Sequence, residues 1–293
     1  MRILIVVVGA LFVVAAPVAS QQPQITNGRV ETRAVAGSLE RELRGLTAQQ
    51  TDPVWIGYTV PARSGDHRMC CWDNGSGGDC CNACRLEPGV ASAVMSVRPS
   101  AAQPIRLEAG DTFSVLARFE RGEVSRIRMF SNDCALDAGG RMVYWLTGVR
   151  EDDSVNWLAT FTSSGTPNKL VDSALSVLAM HRAPAALDRL LVAARDGATT
   201  HLRGQALFWL AQRAGEKAVG AISDAIAHDP ETEVKRRAVF ALSQLPKDQG
   251  VPMLIEVART NANPAVRKQA MFWLGQSRDP RVAEFLLNII NEP

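Results

Sequence analysis

The sequence predicts an α+β chain in two parts: a small, cysteine-rich, mostly antiparallel β domain, then an α-solenoid of helical hairpins. Three observations carry this. A 32-residue period runs through the second half, alternating apolar and polar residues fill the first, and all six cysteines fall between residues 70 and 134. The boundaries that follow are 1–20 for a leader, 21–150 for the β-rich domain and 151–293 for the helical part, an ordinary division for 293 residues.

The period is read directly from the residues. Leu170–Met180, Leu202–Gln212, Val234–Gln244 and Val266–Gln276 begin 32 residues apart with no gap. Ala174, Ala206, Ala238 and Ala270 coincide, as do Leu178, Leu210, Leu242 and Leu274. Each copy opens a helix, here termed A. In the same register follow Leu187, Leu190, Leu191 and Ala194, then Val219, Ile222, Ser223 and Ile226, then Val251, Leu254, Ile255 and Ala258, and last Ala283, Leu286, Leu287 and Ile290. Their 3–4 spacing makes a second helix, B. Pro184, Gly215, Pro246 and Pro280 break A from B, and Gly197, Pro230 and Pro264 break B from the next A. Ser154–Thr162 fits the B register, with Ser154 as its expected N-cap, so the array holds about four and a half hairpins. A lone hairpin cannot bury both apolar faces, so neighbours must stack.

The runs Val234-Lys235-x-x-Ala238-x-x-Ala241-Leu242 and Val266-Arg267-x-x-Ala270-x-x-x-Leu274-Gly275 resemble HEAT repeats of the short bacterial, phycobilisome-lyase-like type over about 154–293. The resemblance implies a right-handed solenoid with the B helices on its concave face. The first copy departs from it, carrying Val171 in place of the basic residue and Ser176 in place of the aromatic. It implies a protein or peptide partner rather than chemistry, because a fold does not fix a function. The polar B-helix residues Asp188, Arg189, Arg195, Asp224, Glu256 and Asn288 are the candidate partner-binding set. The ladder Arg203, Lys235 and Arg267 is expected to bind loop carbonyls or acidic caps. The ladder Gln212, Gln244 and Gln276 is expected to satisfy backbone groups where helix A ends, and Phe208-Trp209 and Phe272-Trp273 to fill the core between hairpins.

The first half reads differently. Arg29–Ala36, Val54–Val60, Ala93–Arg98, Thr112–Phe119, Val124–Phe130 and Arg141–Val149 are strand-like, the last entered through a hairpin turn at Asp137–Gly140. Ser38–Gln49 is a short amphipathic helix capped by Ser38. Arg2, the apolar run Ile3–Ala16 and Val18-Ala19-Ser20 read as an export leader cleaved after Ser20, or alternatively as a retained anchor. The protein is then periplasmic or secreted, and no later run is long enough to span a bilayer. Oxidising surroundings turn Cys70, Cys71, Cys80, Cys81, Cys84 and Cys134 into three expected disulfides. Cys70 and Cys71 would pair within the 80–84 group, leaving one partner for Cys134. Two alternatives stay open: a zinc set that includes His67, and a redox-active Cys81-x-x-Cys84. An envelope or carbohydrate-binding role for the β domain is a further one.

No catalytic constellation is found. His67, His181, His201 and His228 form no H-E-x-x-H pair, and Asn74–Gly78 lacks the lysine of a phosphate loop. Asp133 and Asp137 are read as turn residues. A net charge of +2 gives no field for nucleic acid or an anionic membrane surface, and no cofactor is expected. Thiol titration of the purified protein should find no reactive cysteine before reduction and six after it, with no zinc by elemental analysis. Bound zinc, or two cysteines that reduce ahead of the rest, would favour the alternatives.

Overall fold

The structure, a computed structural model, describes residues 22–63, 84–87, 111–132, 134–213 and 215–291. The leader, the Ala93–Arg98 strand, His67, Cys70, Cys71, Cys80, Cys81 and Asp133 lie outside the described residues. In chain order come β1 (Ile25–Thr26), β2 (Arg29–Ala34), α1 (Leu39–Thr47), β3 (Val54–Pro61), β4 (Thr112–Glu120), β5 (Glu123–Ser131), β6 (Leu136–Asp137) and β7 (Met142–Thr147). Helices follow: α2 (Glu151–Ala159), α3 (Asn168–Met180), α4 (Pro184–Asp196), α5 (Thr200–Arg213), α6 (Glu216–His228), α7 (Thr232–Ser243), α8 (Lys247–Thr260), α9 (Pro264–Gly275) and α10 (Pro280–Asn291). The expected A helices are α3, α5, α7 and α9, and the B helices are α4, α6, α8 and α10.

The main sheet has the order β2-β7-β3-β4-β5. It is mixed rather than mostly antiparallel: β2–β7 and β7–β3 run parallel, β3–β4 and β4–β5 antiparallel. The cause is α1, capped by Ser38 as expected, which returns the chain so that β3 points the same way as β2. β7 then fills the slot between them. The β4–β5 hairpin closes through Arg121 (φ 52°) and Gly122 (φ 83°), two left-handed residues that suit the twist of the strands. The turn at Asp137–Gly140 exists, with the Asp137 carboxylate accepting from the Gly139 N–H at 2.9 Å, but it is not a hairpin. It carries the chain out of a separate β1–β6 pair and into the main sheet.

Both faces of the sheet are covered. Val54, Ile56, Tyr58 and Val60 pack toward α1, α2 and α3, in one apolar core that continues through the helices to Phe285. On the other face Trp55, Leu116, Phe130, Val143 and Trp145 lie with Leu86, Leu136 and Ala138. Gly57 is required there, since a Cβ would stand 2.6 Å from the Trp145 ring. The Cys84–Cys134 disulfide, with Cα atoms 5.9 Å apart, ties this cover down and is the bridge expected of Cys134.

Sheet and helices are joined by polar groups as well. Ser154 is not an N-cap: α2 begins after Arg150, four residues earlier than the capping reading requires, and Ser154 is buried inside it. Its Oγ lies 2.9 Å from the Tyr58 hydroxyl and 3.0 Å from His181 Nε2. Ala62 and His181 form an antiparallel bridge, with the Arg63 N–H donating to Met180 O and the Arg182 N–H to Pro61 O. Arg213 Nη1 donates to the carbonyls of Leu178, Ala179 and His181, closing the end of α3.

Burial pushes the His181 imidazole down to about 3, with a smaller contribution from the Arg213 charge. Between pH 6.5 and about 3 the unfolded chain takes up this proton and the folded chain does not. Stability is therefore full above 6.5 and falls on acidification, by up to ~1.4 kcal/mol per pH unit from this group. Urea midpoints across that window should fall less steeply for His181→Gln than for the natural chain; equal slopes would count against this role.

Candidate functional site

The helices are not stacked evenly. α3, α5, α7 and α9 pack closely in succession, whereas α4 touches α6 less and α6 scarcely meets α8. Each B helix also packs more extensively on the A helix after it than on the one before: α4 on α5, α6 on α7, α8 on α9. The working hairpins are thus B followed by A, and α2 with α3 starts the series. A concave face made of B helices would need the B row to be the closely packed one. The packing is the reverse, because alanines at the A–A contacts let those helices approach.

One stripe of the A row carries an aromatic in α5, α7 and α9, where α3 has Ser176. The Phe208 and Phe240 rings stack at 5.8 Å with planes 4° apart, and Phe240 meets Trp273 at 4.9 Å. In each Phe-Trp doublet the rings meet edge to face, at 5.1 Å for Phe208–Trp209 and 5.0 Å for Phe272–Trp273. Trp209 is buried as expected. The phenylalanines turn the other way: Phe208 and Phe240 are half-buried and Phe272 is 53% exposed.

Gln212, Gln244 and Gln276 stand four residues beyond these phenylalanines, on the same helical stripe. All three are exposed. Their side chains do not close the helix ends. Gln244 Nε2 donates to Ser243 Oγ at 3.0 Å, and the other two amides make no hydrogen bond among the described residues. Backbone bonds do the closing, as from the Gln276 N–H to Trp273 O, and Gln212 contributes its own carbonyl to Arg63 Nη2 at 2.8 Å. Before the aromatics on the same stripe lie His201, held 2.6 Å from Asp172, and Arg236, which donates to Gln269 Oε1 at 3.2 and 3.3 Å. The result is an apolar row edged by amides on one side and by charged and polar groups on the other. It holds no nucleophile–base pair.

The remaining predicted residues are placed as follows. Arg203 donates to both Asp229 oxygens at 2.8 and 3.2 Å and to Gly197 O at 2.9 Å. Lys235 Nζ donates to Ala227 O at 2.9 Å, and Arg267 Nη1 to Asn261 O at 2.7 Å and Ala262 O at 3.2 Å. Each cation thus meets carbonyls at the end of the preceding B helix, where the helix dipole favours positive charge. Asp188, Arg189, Arg195, Asp224, Glu256 and Asn288 are all exposed on the splayed row. Only Arg195 and Asp224 come together, in an open groove of about 510 Å³ between α4 and α6 with Lys217, His228 and Asp229. Arg189 is turned to Asn156 at 3.0 Å, and Arg195 is paired with Asp196. The disulfide to Cys134 removes Cys84 from both the zinc set and the Cys81-x-x-Cys84 redox pair. No three His, Cys, Asp or Glu side chains are grouped to hold a metal among the described residues.

The phenylalanine stripe was missed as a surface because aromatics at helical spacing usually fill cores. The signal that reveals it is the glutamine at i+4, a residue unsuited to the core on the same face.

Stacked hairpins with a conserved register across copies define a helical-repeat protein. More particularly, residues 219–293 match the family model for HEAT repeats, and the C-terminal part of the chain is a HEAT-repeat region. Among solved structures, the complex of CpcE and CpcF of phycocyanin lyase from Nostoc sp. PCC7120 is similar at 19% identity and a TM-score of 0.36, covering 48% of this chain and 90% of that one. The Escherichia coli protein YibA is similar at 21% identity and a TM-score of 0.33, covering 48% of this chain and 54% of that one. No curated protein matches the chain. No helix among the described residues is long and apolar enough to cross a membrane.

Arg203→Ala leaves the nearly buried Asp229 carboxylate with the Glu231 N–H but without its cation, and should cost about 2–4 kcal/mol in urea unfolding. Lys235→Ala, at an exposed bond to one carbonyl, should cost under about 1 kcal/mol. Equal losses would show that the ladder acts as one electrostatic row.

Proposed function

We propose that the helical array is an α-solenoid and that the protein is an exported, non-catalytic scaffold. Its partner is a protein or peptide held along the closely packed A row. In a curved stack the compressed row lies inside, which puts α5, α7 and α9 on the concave side. The observation that carries the reading is the stripe of Phe208, Phe240 and Phe272 with an exposed glutamine beside each. A glutamine amide both donates and accepts, so it can pair with the main chain of any extended segment. Neighbouring helices pack ~8–10 Å apart and an extended chain advances ~3.3 Å per residue, so about every third residue of a bound segment meets a new Phe/Gln pair. Export is supported by the leader-like first twenty residues and by a disulfide, a bond that persists in oxidising compartments.

Partners should be recovered by photo-crosslinking from position 272 of the full chain in its native envelope. With a partner in hand, Phe272→Ser combined with Gln276→Ala should weaken binding roughly tenfold or more, as loss of an aromatic anchor does. Undiminished binding by that variant, together with loss on Asp224→Ala or Glu256→Ala, would move the site to the splayed row.

A further inference from the structure

One turn before the three phenylalanines, the 32-residue register places Gly204, Arg236 and Lys268. A glycine inside a helix is destabilising relative to an alanine, so Gly204 in the middle of α5 needs a reason. The reason lies on α7. A Cβ at Gly204 would stand 2.2 Å from Arg237 Cδ and 3.3 Å from Arg237 Cβ, so the bare backbone lets that arginine lie across α5. Arg237 thus fills, from the next helix, the place that Arg236 and Lys268 hold on their own helices. Arg236 in turn reaches to α9, where Gln269 Oε1 accepts from its Nε and Nη2. Phe208, Phe240 and Phe272 each have a cation one turn before them, as each has a glutamine one turn after.

We infer that this row of cations selects an acidic peptide, an extended segment with a carboxylate at about every third residue, one for each of α5, α7 and α9. The inference rests on the reading of the A row as a peptide site and adds the chemistry of what it takes. Charge on the row is unbalanced. Glu233 is the carboxylate that meets these cations among the described residues, and it is shared, 3.3 Å from Arg236 Nη1 and 3.2 Å from Arg237 Nε. Lys268 is exposed and meets no carboxylate among the described residues. Solvent-exposed pairs such as those of Glu233 are weak, so either arginine can turn its fork of N–H donors to an incoming carboxylate. The row is also bounded. At the equivalent position α3 carries Asp172, tied to His201 at 2.6 Å, so the cations end at α5.

Fluorescence anisotropy with the full chain tests it, using labelled peptides that carry Glu, Gln or Lys at every third position and only leucine and serine elsewhere. The Glu peptide should bind roughly tenfold or more tightly than the Lys peptide, with the Gln peptide between them, and should lose that advantage in high salt. Arg236→Glu combined with Lys268→Glu should reverse the order of the Glu and Lys peptides. Both positions are exposed, so the core is untouched, and cations that only brace the helices would give no reversal. Equal affinities for all peptides, each weakened by Phe272→Ser with Gln276→Ala, would overturn the charge selection and leave the row a peptide site. Binding of none of them would overturn both.

Discussion

The close approach of the A helices is the constraint on which the rest of the molecule depends. Ala174, Ala206, Ala238 and Ala270 are wholly buried, as are Leu178, Leu210, Leu242 and Leu274 one turn on. An alanine lets two helix backbones draw together, and the leucine beyond fills the space that opens between them. Everything else in the array follows from keeping this row compressed. The B helices must splay, each leaning on the A helix ahead of it, and the loops between must be held, which the Arg203, Lys235 and Arg267 contacts accomplish. The irregular first copy also makes sense on these terms. Val171 and Ser176 stand where later copies carry a cation and a half-buried or exposed ring, and both are buried because α3 has the sheet against it.

The sequence was a good guide to whatever is local. Helix spacing and proline breaks located α3 to α10, a β-branched and aromatic run ended by Pro61 located β3, and strand-like patterning located β4, β5 and β7. What it did not carry was direction. Whether β7 lies parallel or antiparallel to its neighbours depends on where α1 returns the chain, and side-chain alternation is the same for both. Ser154 was misread for a related reason: a serine before an apolar run fits a cap, and its true partners, Tyr58 and His181, are 96 and 27 residues away. The pairing of Cys134 was readable only down to a group of candidates. The candidate site was half legible. Phenylalanines and glutamines were each seen to repeat, but hairpins phased as A then B hid that both belong to one exposed stripe.

The seam between sheet and helices is held by backbone and side-chain hydrogen bonds. β3 runs past its last paired residue into the turn between α3 and α4, and Arg63 then reaches across to the carbonyls of Gln212 and Arg213. Arg213 is half-buried beside Arg63, and desolvation first and the neighbouring charge second hold its guanidinium down to about 10. Two cations are kept close here because each is committed to carbonyl oxygens at a helix end. The first repeat is thereby anchored to the sheet by backbone, cation and imidazole together, and the array extends from a fixed base.

The position of β7 has a consequence for how the molecule comes into being. In the finished sheet β2 and β3 are parallel with β7 between them, and both are synthesised well before residues 142–147. The strand that completes the sheet is thus nearly the last piece of that half to be synthesised, and Arg150 at the start of α2 follows three residues behind it. Insertion of β7 and growth of the helical stack are therefore adjacent events in time, and long-range pairing of this kind is slow relative to helix formation. A chain that stopped before Met142 would lack β7, and the facing edges of β2 and β3 would have no strand to pair with.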